Sequence, residues 1–139
     1  MNSSKITFYS FAFVFIACVT VDQLFKYWAG LRHIVQYNSG ISMSWLPGMN
    51  QLTVSILLLV FLAAIAWSWR TVWLQYSGWS ALFFGGAVSN IIDRLLYNGV
   101  RDWMSLPGLN LKNNLADWFV CIGLAAILFQ VISQKKNHE

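Results

Sequence analysis

Four stretches of nearly unbroken apolar residues divide the chain: Ile6–Phe25, Leu52–Trp69, Val72–Ile92 and Leu115–Ile132. Runs of about 18 or more apolar residues are long enough to cross a bilayer as helices. The pattern predicts an all-α membrane protein, a four-transmembrane-helix bundle forming a single integral membrane domain over residues 1–139. Only Arg70-Thr71 separates the second and third runs, which reads as a tight helical hairpin. The first run reads as a retained helix rather than a cleaved signal peptide. Lys5 alone charges its start, and the apolar run continues past Cys18 to Val21. Four spans put both termini on one side of the membrane and both long connections, 26–51 and 93–114, on the other.

Within the first connection the period changes. Val35 and Tyr37 alternate with Gln36 and Asn38, then Ile41, Met43 and Trp45 alternate with Ser42 and Ser44. Two alternating runs about an Asn38-Ser39-Gly40 turn predict a small β-hairpin. Such a strand pair either caps the surface or extends the backbone pairing of a bound peptide. The sequence Leu46-Pro47-Gly48-Met49-Asn50 recurs as Leu106-Pro107-Gly108-Leu109-Asn110, and Pro-Gly marks a tight turn in each.

Composition agrees with a lipid solvent. Hydrophobic residues make up 58% and charged residues 10%, against about 25% charged in soluble domains. Trp28, Trp45, Trp103 and Trp118 fall near one membrane face and Trp67, Trp69 and Trp73 near the other, as aromatic belts do. The net charge of +4 includes no Lys/Arg run, so nucleic acid is not an expected partner. Cations flank both faces about equally and do not decide orientation. Cys18 and Cys121 lie inside apolar runs without metal-type spacing and read as packed core thiols. With His33 and His138 the only imidazoles, neither a metal site nor another cofactor is expected.

The carboxylates are grouped. Apart from Glu139 they are Asp22, Asp93, Asp102 and Asp117, and alternating topology brings all four to one face. Pairing accounts for two of them: Asp22 with Lys26 at i,i+4, and Asp93 with Arg94 or Arg101. Asp102 and Asp117 are less easily neutralised, with Lys112 the cation in reach of Asp117. Two carboxylates close together in an apolar site do not both ionise readily. One ionised and one protonated member can deprotonate a water and protonate a leaving amine, as peptide hydrolysis requires. The third run carries Gly85-Gly86-Ala87, small residues suited to close helix packing. It ends in Ser89-Asn90-Ile91-Ile92-Asp93-Arg94, with Asn90 and Asp93 on one helix face.

In order along the chain, four blocks resemble the bacterial lipoprotein signal peptidases, the signal peptidase II family. They are Asp22-Gln23-Leu24-Phe25-Lys26, Asn38-Ser39-Gly40, the segment Gly85–Arg94 followed by Val100-Arg101-Asp102-Trp103, and Asn114-Leu115-Ala116-Asp117. The resemblance implies an aspartyl endopeptidase of the bacterial inner membrane. Its substrates would be prolipoproteins, cut before a diacylglyceryl-modified cysteine, and membrane lipid is the other expected partner; the chain is expected to be a monomer. Carried onto this sequence, the resemblance implies that Asp102 and Asp117 are the catalytic dyad. Asn38, Gly40, Asn90, Asp93, Arg94 and Asn114 bind substrate or brace the dyad, and Asp22 and Lys26 support it. Both termini would be cytoplasmic and the active site extracytoplasmic, with the first connection forming a β-cradle on the membrane surface. The chain departs from the family pattern at Ile41-Ser42-Met43, at Asn98, where asparagine tolerates the left-handed backbone of a turn, and at Asn113. Those departures bear on substrate range. Two other readings stand beside this one: a non-catalytic relative that binds lipidated segments, and a small proton-coupled transporter. The latter would place an acid near the middle of a span, where this chain has none.

Overall fold

The computed structural model describes residues 3–39, 50–108 and 111–136. It is mostly helical: α1 (Ser3–Leu31), α2 (Gln51–Ser68), α3 (Arg70–Gln75), α4 (Ser77–Tyr97) and α5 (Leu115–Lys136). Four short strands, β1 (Gln36–Asn38), β2 (Val100–Asp102), β3 (Met104–Ser105) and β4 (Lys112–Asn113), lie at one end. Among the described residues, three helices are long and apolar enough to cross a membrane, over Thr7–Leu31, Gln51–Ser68 and Leu115–Lys135. Their outer surfaces carry large apolar side chains, Phe13, Val60 and Phe129 being well exposed, while Asp22, Lys26, Asp93 and Asn114 are buried. This inverts the distribution of a water-soluble domain.

The continuous span expected over 72–92 is instead two helices. The chain turns at Tyr76 (φ −109°, ψ 46°), before Ser77-Gly78, which are poor helix formers. Ser80 Oγ donates to the Trp73 carbonyl at 2.9 Å, and Trp73 Nε1 donates to the Ile65 carbonyl at 3.0 Å, so side chains satisfy carbonyls near the breaks. Trp73, Tyr76, Phe83 and Ile127 form the apolar core at this end, with the Trp73 and Phe83 rings stacked at 5.4 Å. Helix α4 is 21 residues long, but its inner face holds Ser89, Asn90, Asp93 and Arg94 and is more polar than the other long helices.

Helix α4 packs chiefly against α5 and α1. The glycine pair divides between them. A Cβ on Gly85 would press on Phe15 and Cys18 of α1, and one on Gly86 would collide with the Ala116 carbonyl of α5. Gly123 of α5 returns the contact, since a Cβ there would lie 2.7 Å from the Trp79 carbonyl of α4. Glycines on both sides let the α4 and α5 backbones touch next to Asp117.

The β1 strand pairs antiparallel with β2, Gln36 opposite Asp102 and Asn38 opposite Val100. The second arm of the expected hairpin, with Gly40, lies outside the described residues. The partner of β1 is therefore a strand more than sixty positions away, which no local alternation reveals. Between α4 and β2 the chain turns at Asn98, in the left-handed region (φ 58°, ψ 29°). Strands β3 and β4 pair antiparallel, and the turn joining them includes Gly108 (φ 79°).

Two substitutions test this framework. Asn98→Gly leaves stability unchanged or raised, whereas Asn98→Ile lowers it by about 1–2 kcal/mol, measured by thermal unfolding in detergent. Gly86→Ala forces α4 from α5 and lowers thermal stability, whereas Gly30→Ala, at a position with open space around it, leaves it unchanged in the same measurement.

Candidate active site

Four elements meet at the strand-bearing end, and each brings a carboxylate: α1 carries Asp22, α4 Asp93, β2 Asp102 and α5 Asp117. The four fall into two pairs of different electrostatic character.

The inner pair is neutralised. Lys26, one turn after Asp22 and fully buried, lies 2.7 Å from Asp22 Oδ2 and 3.2 Å from Asp93 Oδ2. Arg101 grips Asp93 from the other side, with Nη2 at 2.8 Å and the backbone N–H at 2.9 Å. Of the two cations expected beside Asp93, Arg101 makes the ion pair. Its guanidinium lies 4.1 Å from the Tyr97 ring centroid and donates to Gln23 Oε1 at 2.6 Å. Gln23 Nε2 donates to Asp93 Oδ1 and Ser89 Oγ, closing the network across α1, α4 and β2. Asp22 also accepts from Ser89 Oγ at 2.7 Å and from the Ala116 N–H at 2.9 Å. The second bond ties α1 to the first turn of α5, one residue before Asp117. Two carboxylates and two cations make this cluster balanced in charge.

The outer pair, Asp102 and Asp117, lines a cavity of about 600 Å³ together with Asn38, Asn90 and Arg94. Amides serve both carboxylates. Asn114 Nδ2 donates to Asp102 Oδ1 at 2.6 Å, while Asn114 Oδ1 accepts the Asp117 N–H at 3.0 Å, so one side chain joins the two aspartates. Asn38 Nδ2 donates to Asp102 Oδ2 at 3.1 Å, and Asn90 Nδ2 to Asp117 Oδ1 at 2.8 Å. Burial pushes the Asp102 carboxyl up to about 6; the Asn114 and Asn38 donors oppose the shift, the Asp117 charge adds to it and Lys26 opposes it. Arg94, on the cavity wall, feels both aspartates, as does Lys26. Lys26 is already paired with Asp22 and Asp93, which leaves the outer carboxylates short of positive charge, the condition under which a pair retains a proton.

Lys112, the cation within sequence reach of Asp117, donates instead to the Ile34 carbonyl at 2.9 Å. Cys18 is buried, as expected of a core thiol, but Cys121 is exposed and lines the same cavity. It lies four residues after Asp117 and so shares its helix face. The rest of the cavity wall is largely apolar and includes Phe61, Leu62 and Phe83. Asn113, one of the departures from the family pattern, has an amide that donates to the Met104 carbonyl and accepts from Trp118 Nε1 at 3.0 Å, pinning β3 to α5. Sequence reasoning passed over Gln23 and Ser89 as functional residues and weighed Arg101 only as a partner for Asp93. Ser89 stands at i,i+4 from Asp93, and that spacing was a signal for it; the reach of Gln23 and Arg101 across helices left none.

Comparison with known proteins accords with this architecture. The family model for signal peptidase (SPase) II matches residues 14–133. A lipoprotein signal peptidase of Bartonella henselae is 30% identical, over 83% of this chain and 83% of its own. That of Sinorhizobium fredii is 31% identical over 73% of this chain, which spans 64% of that relative's length. The fold matches a bacterial membrane enzyme solved by the in meso method at 2.3 Å, with a TM-score of 0.77, 22% identity, and coverage of 93% of this chain and 91% of that one. With the family model spanning most of its length, the chain belongs to the signal peptidase II family.

Proposed function

We propose that the chain is an aspartyl endopeptidase that removes signal peptides from prolipoproteins, with Asp102 and Asp117 as its dyad. The observation that carries this reading is two carboxylates on one cavity, with the Asn114 side chain bridging the Asp102 carboxylate and the Asp117 backbone N–H, in surroundings that push Asp102 up to about 6. The substrate's signal helix lies between the spans, along the apolar wall that includes Phe61, Leu62 and Phe83. Its scissile carbonyl enters between the aspartates. The ionised carboxylate takes a proton from water as the water oxygen bonds to the carbonyl carbon, and the protonated carboxyl donates to the carbonyl oxygen. Collapse of the tetrahedral intermediate then breaks the C–N bond, the amine leaving with a proton from the dyad. Asn38, Asn90 and Asn114 hold the carboxylates in register, which supplies positioning as well as proton transfer. Arg94 and Asn38 face the substrate backbone, and Gly40 is assigned to substrate binding by the family motif alone.

In this reading α3 and α4 together make the fourth crossing. Both termini are cytoplasmic and the cavity opens at the extracytoplasmic face of the inner membrane. The cysteine after the cut carries a diacylglyceryl group that stays in the lipid, and the enzyme acts as a monomer.

Asp102→Asn and Asp117→Asn each lower cleavage of a diacylglyceryl-modified prolipoprotein by at least about 100-fold, read as a gel shift; wild-type turnover by either excludes the dyad. Because the reaction needs one protonated and one ionised carboxyl, kcat/KM for the wild type is bell-shaped in pH, with a descending limb that begins near 6. Stability responds to the same group. Above pH 6 Asp102 is ionised in folded and unfolded chains alike, and its burial weighs fully against folding. Between about pH 6 and 4 the folded protein takes up a proton that the unfolded chain does not, and the penalty fades. Asp102→Asn is therefore more stable than wild type by about 1–3 kcal/mol at pH 8, and the gap closes by pH 4, followed by thermal unfolding in detergent.

A further inference from the structure

We propose that Lys26 is a positioning residue for the reaction: its ammonium locks the Asn90 amide in the one orientation that presents an N–H to Asp117. This inference rests on the dyad proposed above and adds to it a residue that touches neither carboxylate of the dyad.

An ammonium has three N–H donors and no acceptor. Those of Lys26 meet three oxygens: Asp22 Oδ2 at 2.7 Å, Asp93 Oδ2 at 3.2 Å and Asn90 Oδ1 at 2.8 Å. Two carboxylates already satisfy the ion-pairing need of the cation. The third contact goes to a neutral amide, and because Lys26 only donates, the amide must turn its oxygen inward. Its nitrogen then faces outward, where Nδ2 donates to Asp117 Oδ1 at 2.8 Å. Were the amide free to rotate by half a turn, it would present an oxygen to Asp117, which only a protonated carboxyl accommodates. The same logic already operates on the other side of the cavity. There the Asp117 N–H holds Asn114 Oδ1, so that Asn114 Nδ2 faces Asp102. Both dyad members thus meet amide donors whose orientation is set by a group behind them.

The shape of the side chain matters as well as its charge. Three acceptors from α1 and α4 converge on one point, which suits a compact ammonium; the planar fork of arginine does not reproduce that tripod. Among the described residues, the charged and titratable groups around the site are Asp22 from α1, Asp93 and Arg94 from α4, Arg101 and Asp102 from β2, Lys112 from β4, and Asp117 and Cys121 from α5.

The test is a double-mutant cycle on the full chain in detergent micelles, with a diacylglyceryl-modified prolipoprotein as substrate. Lys26→Met and Asn90→Ala each lower kcat by about 10- to 100-fold, with KM within about 2-fold. If Lys26 acts through Asn90, the double variant is no slower than the slower single variant. Lys26→Arg keeps the charge and still loses kcat. The descending limb of the kcat/KM profile moves to higher pH in Lys26→Met, since the cation that opposes the upward shift of Asp102 is gone. Because Lys26→Met leaves Asp22 and Asp93 facing Arg101 alone, the cycle is repeated in an Asp22→Asn background, where the Lys26→Met members of the cycle have a neutral cluster. Losses that multiply in the double variant, full activity in Lys26→Met, or a limb that does not move overturn the inference. Asp102→Asn and Asp117→Asn are assayed in parallel. Turnover by either defeats the dyad itself, whereas inactive dyad variants with multiplying losses defeat only the role given to Lys26.

Discussion

Four charges buried at the junction of α1, α4 and β2 govern the rest of the molecule. Lys26 and Arg101 neutralise Asp22 and Asp93, all four side chains being buried. A buried ion is tolerated only when its partners and hydrogen bonds are complete, and removing one member leaves an uncompensated charge. The elements are therefore confined to positions that complete the cluster. Arg101 draws β2 against α4, and Asp22 holds the first turn of α5 through the Ala116 N–H. Asp102 and Asp117 each sit one residue beyond these anchors. The geometry of the outer site follows from the charge balance of the inner one.

The outer site has the opposite character. Asparagine amides donate directly to Asp102 and Asp117, while Arg94 stands on the cavity wall and Lys112, also on that wall, is turned to the Ile34 carbonyl. Neutral donors orient a carboxylate without cancelling its charge. The pair therefore keeps a reason to hold one proton, and burial pushes Asp102 up to about 6. A salt bridge in the same position would hold the carboxylate low. The inner charges give rigidity, while burial raises the proton affinity of Asp102 against the pull of its amide donors.

Close helix contact makes this compactness possible. Gly86 and Gly123 bring the α4 and α5 backbones together beside Asp117, while Gly85 admits α1 on the other side. Only with α4 in contact with both neighbours can Asn90 span from Lys26 to Asp117. The break at Tyr76 lies at the far end, where Trp73 and Phe83 stack and Ser80 Oγ donates to the Trp73 and Tyr76 carbonyls.

Apolar run length, a local property, already disclosed the three helices long and apolar enough to cross a membrane, and alternating topology grouped the four aspartates at one end. The i,i+4 pair Asp22–Lys26 and the left-handed turn at Asn98 were also legible, because each depends on residues close in the chain. Other features were not. Run length alone could not show that the stretch over 72–92 turns at Tyr76, since aromatic and apolar residues continue through the break. Alternation about Asn38 pointed to a strand but not to β2 as its partner, and the side on which Cys121 emerges depends on which neighbours α5 acquires. Which cation answers Asp93, and the use of Asn114 and Asn90 to orient Asp102 and Asp117, join residues on separate elements; hydrogen bonds act over about 3 Å in space, whatever the distance along the chain. The sequence by itself determined that four acids share one end of a membrane bundle. Tertiary structure decided which two are neutralised by Lys26 and Arg101 and which two are held by asparagine amides, because that depends on where the cations reach once the helices pack.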